Sequence, residues 1–210
     1  MKTYPDRIGS IIPRIFGNYF WHGDRSKNQI YLTFDDGPTP GVTDFVLDQL
    51  KEYACKGTFF CIGDRVRRFP QLLERLQQEG HAVGNHTHQH LNAWKTRQKT
   101  YIHNVDMAAE VIPSLLFRPP YGRITPSLGR RLRNKSYQIV MWDLLSGDFD
   151  QQRSADSCLA NLMRNTRNGS VVVFHDSEKS ANQLKEILPP YLQFIRDKGW
   201  DAVTIPQADL

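Results

Sequence analysis

Short apolar runs and amphipathic stretches alternate along this chain from residue 29 to residue 205, and no other feature constrains the fold as strongly. Apolar runs of strand length fall at 29–34, 57–62, 81–85, 115–118, 137–145, 170–175 and 202–205. Between them the spacing predicts helices over 42–53, 70–79, 101–111, 155–166 and 182–197, the last interrupted or kinked at Pro189-Pro190. On the first of these, Phe45, Val46, Gln49 and Leu50 share one face. Strands separated by helices pair in parallel through βαβ units, which gives either a closed barrel or a doubly wound sheet. A chain of 210 residues can bury one sizeable core, and no linker, repeat or low-complexity tract divides it, so one domain is predicted.

Charge and composition narrow the function classes. Lys+Arg 27 against Asp+Glu 22 gives a net charge of +5, with the densest basic stretch at Arg123, Arg130, Arg131, Arg133 and Lys135. Leu128 and Leu132 turn that stretch into a helix with a basic solvated face. No recognition helix or aromatic platform accompanies it, which argues against a nucleic-acid partner but leaves room for anionic polymers, acidic glycans included. No run of about 18 apolar residues exists to cross a membrane. The start of the chain carries no leader pattern, so a cytoplasmic location is expected. The 3 cysteines, Cys55, Cys61 and Cys158, read as small, reduced core residues.

Polar residues collect at one place in this rhythm. Asp35, Asp36, His86, Arg118, Asp148 and His175 fall at or just past the C-terminal ends of successive predicted strands, the edge where parallel α/β proteins build their sites. In Thr33-Phe34-Asp35-Asp36-Gly37-Pro38, adjacent carboxylates can divide labour, one ligating a metal and the other taking a proton, although Asp-Gly-Pro is also ordinary turn chemistry. In His86-Thr87-His88-Gln89-His90, one turn of helix would bring His86 and His90 to the same side with His88 pointing elsewhere. Two imidazoles and one carboxylate suit a catalytic zinc site with an open position; surface decoration is the competing reading. Asn85 and Asn92 flank the segment as hydrogen-bond partners of the histidines or as turn residues.

In Arg118-Pro119-Pro120-Tyr121-Gly122 the prolines stiffen the backbone, so the Tyr121 amide can serve as an oxyanion donor while Arg118 keeps a carboxylate ionised; a rigid rim loop would read the same way. Ser146-Gly147-Asp148-Phe149-Asp150 and Val173-Phe174-His175-Asp176 place a histidine at a strand end. It can give a proton to a leaving group with Asp148 raising its pKa, or simply cap the strand.

Together, and in this order, 33–38, 86–90, 118–122 and 173–175 resemble the motifs of the polysaccharide deacetylases, the nodulation-type deacetylase homology domain of carbohydrate esterase family 4. The resemblance runs from about Gln29 to the C-terminus. It implies a distorted (β/α) barrel of seven to eight parallel strands, with the active site at their C-terminal ends. It also implies one divalent metal ion, zinc first, with cobalt, nickel or manganese as alternatives. Carried over residue by residue, Asp36, His86 and His90 would hold the metal and Asp35 would be the general base, oriented by Arg118. The Tyr121 amide would line the oxyanion hole, and His175, tuned by Asp148, would be the general acid. Pro120, Tyr121 and Phe149 would line the substrate groove.

The fourth motif departs from the family: Phe149 stands where a Trp is usual, and Leu145 replaces that motif's first Asp. Val173 replaces a usual Leu in the fifth. Phe149 keeps an apolar wall but lacks an indole N–H, which affects substrate more than chemistry. The implied activity is metal-dependent hydrolysis of N-acetyl or O-acetyl groups on an amino-sugar glycan, with a metal-dependent amidohydrolase of non-sugar amides as the alternative. Residues 29–210 would form the catalytic domain. Residues 1–28, with Phe16, Phe20 and Trp21, would be an extension packed on the barrel, at its bottom or near the groove.

Overall fold

Strand β1, Gln29–Asp35, is buried along nearly its whole length and forms the spine of the sheet. In the computed structural model, which describes residues 18–207, it pairs in parallel with β2, Gly57–Cys61, on one side and β7, Val171–His175, on the other. The sheet continues outward through β3, Ala82–Asn85, β4, Leu116–Phe117, and β5, Gln138–Ile139; on the far side β6, Leu144–Leu145, pairs with β7. The resulting order is β5-β4-β3-β2-β1-β7-β6, with the short β8, Asp201–Ala202, joining the start of β1. Every pairing is parallel, as βαβ crossovers require.

The helices are α1, Val42–Glu52, α2, Gly63–Arg68, α3, Pro70–Gln78, α4, Gln98–Ala109, α5, Pro126–Arg133, α6, Ala155–Asn165, and α7, Ala181–Asp197. The largest core cluster lies between them and the sheet, where Phe34 stacks on Phe59 at 4.8 Å and on Phe174 at 5.7 Å. Helix α7 runs unbroken through Pro189 and Pro190, against the expected interruption. Its buried face of Leu184, Ile187, Leu188, Tyr191, Leu192 and Ile195 outweighs the roughly 3 kcal/mol that each interior proline costs a helix.

Two strands differ from the sequence expectation. The run 137–145 is two strands, because β5 belongs to β4 and β6 belongs to β7. Between them the Val140 and Met141 carbonyls accept from the Arg118 guanidinium, while the Val140 N–H still donates to Phe117 O. The final run reduces to β8, shorter than 202–205.

Among the described residues no ladder joins β5 to β6, and residues 20–25 lace that seam. Phe20 bridges to Val140 in parallel, with its N–H on Ile139 O and its O taking the Met141 N–H, both at 2.8 Å. Farther on, Gly23 N donates to Gly169 O, and Arg25 reaches Asn168 O and Asp143 at the base of β7. Trp21 is buried in the core cluster that also holds Tyr101, Phe117 and Leu128. Phe16 lies outside the described residues.

Candidate active site

Register delivers the site. Asp35 pairs with His175, and Cys61 with Asn85, so the strand ends finish level at one edge of the sheet. A cavity of about 480 Å³ opens there, lined by Asp35, Asp36, His86, His90, Tyr121 and His175, with Trp142, Leu145, Phe149 and Val173 as apolar wall.

Asp35 is buried, and its Oδ1 takes a 2.7 Å bond from Arg118, itself fully buried. The Arg118 guanidinium also donates to Thr33 Oγ1 at 2.7 Å and Met141 O at 3.0 Å, and lies 4.1 Å over the Phe60 ring. Burial pulls the Arg118 pKa down and the Asp35 charge opposes it. A guanidinium held at four points fixes the direction of the carboxylate it holds.

The next residue, Asp36, has a φ of 79°. Asp176 brackets it: the Asp176 N–H donates to Asp35 O at 3.1 Å, while its carboxylate accepts Gly37 N–H at 3.0 Å and the Thr43 hydroxyl at 2.6 Å. A Cβ at Gly37 would overlap that carboxylate, so the turn needs glycine there. Burial pushes the Asp176 carboxyl up to about 7, against the hydrogen bond from Thr43. In sequence Asp176 stands out only as a second polar residue, after His175, at the end of the apolar run 171–174, and it carried no predicted role.

His86 and His90 reach the cavity from a loop rather than from the expected turn of helix. Thr87 and His90 have φ of 65° and 54°, which no helix permits, and the loop brings the two rings to 5.1 Å by other means. His86 Nδ1–H donates to Arg118 O at 2.8 Å, so its Nε2 carries a lone pair facing the cavity. Burial lowers the His86 pKa to about 4, keeping the imidazole neutral at ordinary pH. The Tyr121 hydroxyl lies 3.1 Å from His90 Nδ1. His88 points elsewhere, as expected: it is buried beside Gly63. Asn85 is the last residue of β3, accepting the Thr87 N–H and donating to Val105 O, while Asn92 is a turn residue accepting the Trp94 N–H.

One donor atom each from Asp36, His86 and His90 lies within 4.8 Å of the others. Asp36 Oδ1 sits 3.0 Å from His90 Nε2 and 3.7 Å from His86 Nε2, is buried, and accepts no hydrogen bond among the described residues. Burial opposes Asp36 ionisation, but the facing His90, His175 and His86 outweigh it and hold the carboxyl well below its usual range. An unsatisfied carboxylate oxygen, a neutral imidazole with its tautomer fixed from behind, and a second imidazole form a cup that fits a divalent cation with a side open to the cavity.

Opposite the cup, His175 Nδ1–H donates to Asp148 Oδ1 at 2.9 Å, and the fully buried Asp148 also accepts His175 N–H at 2.7 Å and the Ser146 hydroxyl at 2.8 Å. Burial lowers the His175 pKa, but Asp148, then Asp36 and Asp35, override it and bring it up to about 9. Phe149 packs edge-on against His175 at 5.1 Å.

Tyr121, φ 61°, projects from a tight turn at Pro120–Gly122 in which Gly122 is left-handed as well. Pro120 is buried and does not line the cavity, so its part is to fix this turn rather than to touch a substrate. Of the six non-glycine residues with positive φ among those described, Asp36, Thr87, His90 and Tyr121 belong to this site. Such conformations persist only where their surroundings over-determine them, and they concentrate at functional sites.

Comparison with known proteins agrees with this geometry. A family model described as polysaccharide deacetylase matches residues 22–140. A peptidoglycan-N-acetylglucosamine deacetylase of Bacillus cereus is 32% identical over 199 residues, covering 90% of this chain and 70% of that protein. A peptidoglycan-N-acetylmuramic acid deacetylase of Bacillus subtilis is 31% identical over 193 residues, covering 89% of this chain and 40% of the relative. Among solved structures, a peptidoglycan N-acetylglucosamine deacetylase bound to a hydroxamate ligand superposes with TM-score 0.79 at 30% identity, over 94% of this chain and 96% of that one. A family 4 carbohydrate esterase from Streptomyces lividans, in complex with acetate, gives 0.76 at 28% identity, over 85% and 93%. On this match, over more than half its length, the chain belongs to the polysaccharide deacetylase family.

Proposed function

We propose that this chain hydrolyses the acetamide of N-acetylated amino sugars in a peptidoglycan-type glycan. The observation that carries the reading is the convergence on one cavity of a three-ligand cup, a carboxylate held by a buried arginine, and a histidine held by a buried aspartate. The relatives named above act on N-acetylglucosamine or N-acetylmuramic acid units.

Asp36, His86 and His90 hold the cation, zinc being the best match for two imidazoles and a carboxylate, with cobalt, nickel or manganese able to replace it. When bound, that ion supplies a Lewis acid and a water of lowered pKa. Asp35 removes the proton from the attacking water, its lone pair aimed by Arg118. The Tyr121 amide faces the developing oxyanion from its fixed turn. His175, kept protonated by Asp148, delivers a proton to the departing amine. Residues 29–210 constitute the catalytic domain, with 1–28 as an extension of it.

The test is acetate release from peptidoglycan strands and from N-acetylglucosamine oligomers, before and after chelation and with each metal restored. Loss on chelation, recovery with zinc, and no recovery in the double variant His86→Ala, His90→Ala are expected. Undiminished acetate release by the chelated protein would overturn the proposal. Release from simple amides but from neither glycan would favour the non-sugar amidohydrolase instead.

A further inference from the structure

The full charges on the cavity wall are not balanced. Asp35 is committed to Arg118, Asp36 to the metal cup, and the protonated His175 to Asp148. The remaining charged side chains that line the cavity are Arg123 and Lys179, both cationic. Some arginines elsewhere in this molecule pair with carboxylates, Arg25 with Asp143, Arg67 with Glu110, and Arg75 with Asp44, Asp48 and Glu79. Among the described residues neither Arg123 nor Lys179 has a carboxylate within 4.0 Å.

Arg123 is nevertheless not loose. Its guanidinium lies 5.0 Å over the ring of Trp94, which stands 64% exposed at the rim. Trp94 is in turn fixed by its N–H on Asn92 Oδ1 at 3.0 Å and by its indole N–H toward Ile124 O at 3.5 Å. Stacking restrains a guanidinium while leaving its N–H edges free, which suits it to a carboxylate that arrives with a ligand.

We infer that Arg123, braced on Trp94, and Lys179 form a carboxylate-reading rim, so that this enzyme selects glycans bearing an acidic group on or beside the reacting sugar over neutral chitin-type oligomers. The inference rests on the deacetylase reading for its chemistry, but not for the binding it predicts.

The test compares one muramic-acid-containing N-acetylated oligosaccharide with its methyl ester, identical except for the charge. Wild-type holoenzyme should show a kcat/KM about tenfold higher for the free acid, the difference appearing in KM and shrinking as salt rises from 20 to 300 mM, as a partly exposed ion pair requires. Arg123→Gln should collapse the acid-to-ester ratio toward one. Lys179→Gln and Trp94→Leu should each lower it less. The same pair of ligands, titrated by tryptophan fluorescence, should show the same ratio in binding. Equal handling of acid and ester by the wild type, or an unmoved ratio in Arg123→Gln, overturns the inference while leaving deacetylation intact. Absence of turnover with discrimination preserved in binding would overturn the deacetylase reading and uphold the rim.

Discussion

Replacing Asp148 by asparagine changes one atom in a fully buried side chain and should change the titration of His175 with little change of shape. The Asp148 Oδ2 atom accepts the His175 backbone N–H at 2.7 Å, so in Asp148→Asn the amide oxygen must remain there. The amide NH₂ then faces His175 Nδ1, where Oδ1 now accepts at 2.9 Å. A donor against Nδ1 favours the neutral ring, the reverse of what the carboxylate does. In the wild type the His175 pKa stands at about 9 against an ordinary 6.5, and the His175 side chain is only 18% exposed. That gap corresponds to about 3 kcal/mol.

Because the folded-state pKa is raised, this contribution is fully present below pH 6.5 and is lost as pH climbs through about 9. Urea unfolding of the metal-free proteins, run from pH 6 to pH 10, reads it directly. Subtracting the variant from the wild type at each pH cancels the other titrating groups, and the difference should shrink by about 3 kcal/mol across that range. If His175 is the general acid, the alkaline limb of kcat in the holoenzyme should fall by about one to two pH units, because the imidazolium loses its proton sooner. A stability difference that stays flat with pH, together with an unmoved alkaline limb, would refute the coupling and leave Asp148 as a strand-end brace alone.

Three further outcomes follow from the same contacts. Asp35→Asn should retain one metal ion per chain by elemental analysis yet lose roughly 10²–10⁴-fold in turnover; depleted metal would exchange the roles of Asp35 and Asp36. Arg118→Met should strand the buried Asp35 carboxylate and cost about 3–5 kcal/mol in chemical denaturation, and a loss under 1 kcal/mol would show that Asp35 does not depend on it. Asp176→Leu orphans the buried Gly37 N–H and should weaken metal binding about tenfold in chelator competition, whereas Asp176→Asn keeps an acceptor and should lie close to wild type; equal loss in both variants would mean that charge, not the hydrogen bond, holds the Asp36 turn.

The parts of this molecule that were legible in the sequence are those whose residue types admit few explanations. Wholly apolar runs such as 171–174 read as parallel strands because burial on both faces leaves no polar position, and parallel strands then force the polar residues after them to one edge. What escaped was decided by backbone geometry. The spacing of His86 and His90 suits a helix, yet the left-handed residues Thr87 and His90 bring the rings together in a loop. Nothing in a four-residue spacing distinguishes those two routes. The break in the run 137–145 was equally silent, since the partners that meet it, a guanidinium from residue 118 and the backbone of Phe20, come from far along the chain and leave no local periodicity. Asp176 went without a role for a related reason: its work is done by hydrogen bonds to residues more than 130 positions away.

The same long-range dependence explains why the site and the incomplete barrel belong together. Arg118 donates to the Val140 and Met141 carbonyls between β5 and β6, and also to Thr33 and Asp35 on β1. The hold on Asp35 therefore runs through the irregular stretch between β5 and β6. An irregular run leaves backbone groups to satisfy, and residues 20–25 supply partners for them, with Phe20 bonding at Ile139 and Met141 while Arg25 neutralises Asp143. The opening in the barrel wall and the orientation of Asp35 meet at one buried arginine.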